Sequence, residues 1–147
     1  GLRKLKLRLM VYAMNYGEDS QLNLDGYKLD SFTIQAQRKD VFEDYRITQA
    51  VVFGFTIAGN QLIIGGRGGS ERAGEFVSVP AGAVPYPTGK LMRNPISDAV
   101  YSEAKEEAGI IPEEIDYKLI GIFAQEPPSP IKSQNFVYVG NVSVSAQ

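Results

Sequence analysis

Apolar and polar positions alternate with a period of two over most of the chain, and only once does the spacing lengthen to that of a helix. The stretch "LKLRLMVYAM" sets Leu5, Leu7, Leu9 and Val11 against Lys4, Lys6, Arg8 and Met10, which predicts a strand with one buried and one wet face. "YKLDSFTIQAQ", from Tyr27 to Gln37, predicts a second strand. "AVVFGFTI" and "QLIIGG" are apolar, β-branched runs separated by Ala58, Gly59 and Asn60, a hairpin signal. A Gly-rich connection, "GGRGGSERAGEF", leads into the short strand "FVSVPAG". Further on, a turn at "PEEI" precedes the strands "YKLIGIF" and "NFVYVGNVSVS".

The helical stretch lies between about Pro95 and Ala108. Asn94 is its candidate N-cap, Pro95 sits in the first turn and Gly109 ends it. The pattern predicts a mixed α/β (α+β) domain, mostly sheet, with one important helix. No amphipathic helix follows Phe136, and a sheet face left apolar would need a cover: an N-terminal element, a second copy of the chain in a homodimer, or residues beyond this sequence.

At 147 residues the chain suits one domain, with residues 1–45 as an N-terminal strand extension. A net charge of -2 gives no broad cationic surface, so nucleic acid is not an expected partner. The local basic run "LRKLKLR" reads instead as lysines guarding a terminal strand against edge pairing. Cysteine and histidine are both absent, so acid–base or metal chemistry must come from Asp, Glu, Lys, Tyr or a bound ion. No membrane span or signal peptide is visible, and the chain reads as soluble and cytoplasmic.

Candidate chemistry concentrates in "SEAKEEAGI", Ser102 to Ile110. On a helical wheel Ile96, Ala99, Val100 and Ala104 form the apolar stripe, and Glu103 and Glu107 fall inside it. Glu106 lies at the stripe's edge, whereas Asp98, Ser102 and Lys105 occupy the expected solvent face. Like charges three and four residues apart cost a few tenths of a kcal/mol, and their place near the helix C-terminus costs about 0.3–1 kcal/mol more. A divalent cation reverses that balance, because clustered carboxylates become oxygen ligands suited to Mg²⁺ or Mn²⁺.

"SEAKEEAGI" resembles the second half of the Nudix box, whose pattern is G-x5-E-x7-R-E-U-x-E-E-x-G-U, with U aliphatic. Glu103 matches the Glu of the R-E pair, Ala104 the first U, Glu106 and Glu107 the E-E pair, Gly109 the Gly and Ile110 the last U. "GEFVSVPAG" is similar to the strand that leads into that box, and "RITQAVVFGFTIAGNQLIIGGR" to the preceding hairpin. The resemblance spans roughly residues 46–123. Ser102 stands where the family has Arg, and Asn94 where it has the first Glu. These two form an ion pair in the family, so both partners are replaced together and no orphan charge is left. The loop "AVPYPTGKLMRNP" is longer than the family's.

The resemblance implies a Nudix-like mixed sheet and metal-dependent hydrolysis of a nucleoside diphosphate linked to another group. Glu103, Glu106 and Glu107 would be the metal ligands and catalytic residues, with Mg²⁺ or Mn²⁺ as cofactor. Arg67, with Arg72 as second choice, is the candidate phosphate clamp, and Glu126 in "AQEPPSP" a candidate loop-borne general base. Glu113 and Glu114 stabilise the start of a turn, and Phe76 and Phe136 read as core. Two other readings stand beside the enzyme. One is a catalytically silent Nudix domain that binds a nucleotide or a protein partner. The other is a structural α/β domain with fortuitous glutamates.

Overall fold

The computed structural model describes the backbone of residues 4–13, 18–27, 49–66, 74–125 and 133–143, and the side chains of 49–66, 74–124 and 133–143. Its elements are β1(Lys4–Ala13), β2(Glu18–Tyr27), β3(Gln49–Ala58), β4(Gln61–Leu62), β5(Ile64–Gly66), β6(Phe76–Ser78), β7(Ala81–Ala83), α1(Pro95–Ala108), a 3-10 turn at Pro112–Glu114, β8(Ile115–Gln125) and β9(Ser133–Val142). The architecture is mixed α+β, mostly strand, with α1 the one α-helix among the described residues.

The main sheet runs β4-β3-β9-β8, and β7 also pairs with β3. β3 and β9 are parallel, β8 and β9 antiparallel. On its other side β3 pairs with β4 at Ile57–Ala58 and with β7 at Val51–Phe53. The even-numbered residues of β3 face α1. Val52, opposite Phe136, joins Ile96, Ala99, Val100, Ala104, Ile115, Tyr117, Leu119 and Tyr138 in a single core. Ile96 and Val100 are essentially inaccessible, and truncating Ile96 to Ala is expected to remove about 2–5 kcal/mol. On the opposite face Val137 is buried, Phe53 and Phe55 meet edge to face at 5.4 Å, and Phe123 is 59% exposed.

The helix forms where its signals predict. Asn94 Oδ1 accepts from the Ile96 and Ser97 N–H groups at 3.1 and 2.9 Å, Pro95 occupies the first turn, and Gly109 takes the left-handed conformation at φ 68°. Asp98 departs from the expected solvated face. It is half-buried, and its two oxygens accept from the Met92 and Arg93 N–H groups at 3.1 Å each, tying the preceding loop to the first helical turn.

Several strand expectations need correction. β2 forms over the polar stretch "EDSQLNLDGY", which has no strand signal of its own, because pairing with β1 sets Leu24 opposite Leu7 and Leu22 opposite Leu9. Apart from Tyr27, the strand expected over Tyr27–Gln37 lies outside the described residues. "QLIIGG" is not one strand. It breaks at Ile63, so that β4 pairs with β3 while β5 pairs with β6 in a separate two-stranded sheet. "FVSVPAG" likewise divides around Val79 and Pro80 into β6 and β7. Phe136 is core as expected, but Phe76, on the outward side of β6, is 75% exposed.

Candidate functional site

The segment Val79–Ala83 is held against β3 by side-chain and backbone hydrogen bonds. The Thr56 hydroxyl donates to Val79 O at 2.7 Å, and Gly54 N–H donates to Pro80 O at 2.7 Å. Gly54 is required at this approach, because a Cβ there would meet Pro80 Cδ at 2.5 Å. From Phe53 to Val51 the ladder continues through β7. This brings Ala81 and Gly82 against the C-terminal half of α1, the end that carries the glutamates.

Glu107 reaches this strand directly: Ala81 N–H donates to its Oε1 at 3.1 Å. Glu103, one turn earlier, lies over Gly82 so closely that a Cβ there would come within 2.5 Å of its carboxyl carbon and 2.6 Å of Oε1. Burial is the largest cause that pushes the Glu103 carboxyl up to about 7, followed by the hydrogen bond to Glu107 and the charges of Glu106 and Glu107. A carboxyl that holds its proton near neutrality beside a second carboxylate is the electrostatic sign of a crowded acidic site.

The wheel placed Glu103 and Glu107 inside the apolar stripe, and this holds only for Glu103, which is half-buried; Glu106 and Glu107 are exposed. Glu106 is close enough for its charge to be felt at Glu103. Among the described residues, no group of three His, Cys, Asp or Glu side chains is arranged to hold a metal ion. The donor set nonetheless fits a hard divalent cation in kind. Two adjacent carboxyl groups, Glu103 raised by burial and by its acidic neighbours, lie together at one end of the helix. Arg67, Arg72 and Glu126 lie outside the described residues.

Behind the pair sits a chain of hydroxyls that the sequence pattern does not reveal. The Thr56 hydroxyl proton goes to Val79 O, so in the short Thr56–Tyr117 contact the Tyr117 hydroxyl is the donor. Burial is the largest cause that raises the Tyr117 hydroxyl above its ordinary range, and the charges of Tyr101 and Glu107 add to it. Tyr117 N–H donates to the Tyr101 hydroxyl at 3.0 Å, and the Arg93 guanidinium lies 3.8 Å over the Tyr101 ring. Glu114 at the 3-10 turn accepts from Ile111 N–H at 3.0 Å, the turn-stabilising role expected of it.

Compared with known proteins, the chain matches no family model, and no curated protein matches it. Among the described residues, no helix is long and apolar enough to cross a membrane.

Proposed function

We propose that the chain is a Nudix-like domain that hydrolyses a nucleoside diphosphate linked to another group, with Mg²⁺ or Mn²⁺ held at Glu103, Glu107 and Glu106. The observation that carries this reading is the Glu103–Glu107 pair, two carboxyl groups one helical turn apart packed on Gly82 and Ala81 at the end of the "VPAG" strand. A purely structural role would leave a cost without a return, because like charges and partial burial both oppose the arrangement.

Bound there, a divalent cation would neutralise charge developing on the diphosphate oxygens and lower the pKa of an attacking water. The chain's own part is to orient the two carboxylates. Ala81 N–H fixes the rotamer of Glu107, and the bare backbone at Gly82 admits Glu103 beside it. Glu103 would give up its proton on holding a cation, which would link occupancy to ionisation.

A second reading is favoured by Asn94. Where the family has its first Glu, this residue caps α1 through two N–H groups, and Ser102 is exposed. A silent domain that binds a nucleotide or a protein partner accommodates that replacement. Phosphate release from a panel of nucleoside diphosphate compounds, with and without Mg²⁺, decides between them. Metal-dependent release supports the enzyme. Thermal stabilisation by Mg²⁺ plus nucleotide without release supports the silent domain, and no response to either overturns both.

A further inference from the structure

Thr56 stands on the α1 side of β3, between Gly54 and Ala58, and is fully buried. A valine would fill the same volume, but it would not donate to Val79 O. The register shows how its partner reaches it. Thr56, Gly140 and Tyr117 form one row across β3, β9 and β8. Tyr117 is therefore two strands away, and its ring crosses β9 above Gly140, where a Cβ would meet Tyr117 Cδ1 at 2.7 Å. The row is a bare strand position flanked by a tyrosine and a threonine whose hydroxyls meet over it.

We propose that Thr56 and Tyr117 are positioning residues for the Glu103–Glu107 pair: their hydroxyl chain, Tyr117 to Thr56 to Val79 O, fixes the segment from which Ala81 N–H orients Glu107. Its bearing on function rests on the cation-site reading above. Gly54 N–H fixes Pro80 O from the same strand, so Val79 and Pro80 are each tied by one bond to β3 and Ala81 follows directly. Loss of the Thr56 donor leaves Val79 O facing an apolar group and Tyr117 without its acceptor. The segment then shifts, and the Ala81 N–H leaves the line of the Glu107 carboxylate.

Thr56→Val, Thr56→Ser and Tyr117→Phe test this through two readouts, the amide resonance of Ala81 in solution NMR and Mn²⁺ uptake followed by electron paramagnetic resonance. Thr56→Val and Tyr117→Phe are expected to move the Ala81 amide proton upfield and speed its exchange, while Thr56→Ser, which keeps the hydroxyl, leaves it in place. Mn²⁺ affinity is expected to fall about 10-fold in the first two and to hold in the third, the size seen when a partner of a metal ligand is lost. An unmoved Ala81 amide in folded Thr56→Val overturns the proposal. If that variant does not fold, Tyr117→Phe gives the same decision. Wild-type protein that takes up no Mn²⁺ defeats the cation reading, and the Ala81 amide then decides the positioning role by itself.

Discussion

The Glu103 carboxyl lies over Gly82 with no room for a side chain between them: a Cβ at Gly82 would stand 2.5 Å from the carboxyl carbon. Gly82 therefore acts by absence, admitting a carboxylate against the edge of β7. Gly82→Ala is expected to drive Glu103 out toward solvent and cost about 1–3 kcal/mol of stability as an overpacked contact. The carboxyl then returns toward the ordinary glutamate range, which carboxyl NMR follows. A Glu103 still held near 7 in that variant would break the link between packing and proton affinity.

The raised Glu103 carboxyl predicts how stability depends on pH. Its folded-state value, about 7, lies above the ordinary 4.5, so between those values the folded chain binds more protons than the unfolded chain. Its contribution is fully present below about 4.5 and is lost as pH rises through about 7. With solvent screening of a half-exposed group allowed for, the effect is on the order of 1 kcal/mol. Denaturant unfolding without added metal should show this decline across the window, and Glu103→Gln should flatten it. Cation affinity should run the other way, rising with pH up to about 7 as the competing proton is lost.

Glutamine and alanine at position 107 separate charge from hydrogen bonding. Glu107→Gln keeps an oxygen acceptor for Ala81 N–H and removes a negative charge from beside Glu103, so stability is expected to hold or rise by a few tenths of a kcal/mol. Glu107→Ala leaves the Ala81 N–H to water and should cost about 0.5–1.5 kcal/mol. On the hydrolase proposed above, both variants, and Glu106→Gln with Glu107→Gln together, are expected to abolish metal-dependent turnover. A large stability loss in Glu107→Gln would mark the residue as structural.

The helix and the acidic pair were legible in the sequence for a local reason: Asn94, Pro95 and Gly109 mark the ends of α1, and the spacing of Glu103 and Glu107 sets them one turn apart. What was not legible depends on pairing across the chain. β2 has a polar sequence and forms because β1 is beside it. Asp98 leaves the solvated face because the loop returns two N–H groups to it. The Thr56–Gly140–Tyr117 row joins residues far apart in sequence, and no period within one strand announces it. Gly82 stands in the "VPAG" stretch, and its contact with Glu103 follows from the β3–β7 register rather than from any local pattern.

Asn94 gives the last test, because the resemblance and the local geometry assign it different tasks. The Nudix pattern has Glu there, paired with an Arg at the position of Ser102. In this chain Asn94 Oδ1 accepts from two N–H groups at the start of α1, while Ser102 lies exposed two turns on. Asn94→Ala is expected to cost about 0.5–2 kcal/mol, the value of an N-cap. Restoring the family pair as Asn94→Glu with Ser102→Arg removes the best capping side chain and adds, at most, a partly exposed ion pair worth about 0–1 kcal/mol. The double variant should therefore be no more stable than the parent in thermal unfolding. A clear gain would show instead that the loop before α1 already holds the geometry of the family's ion pair and lacks only its charges.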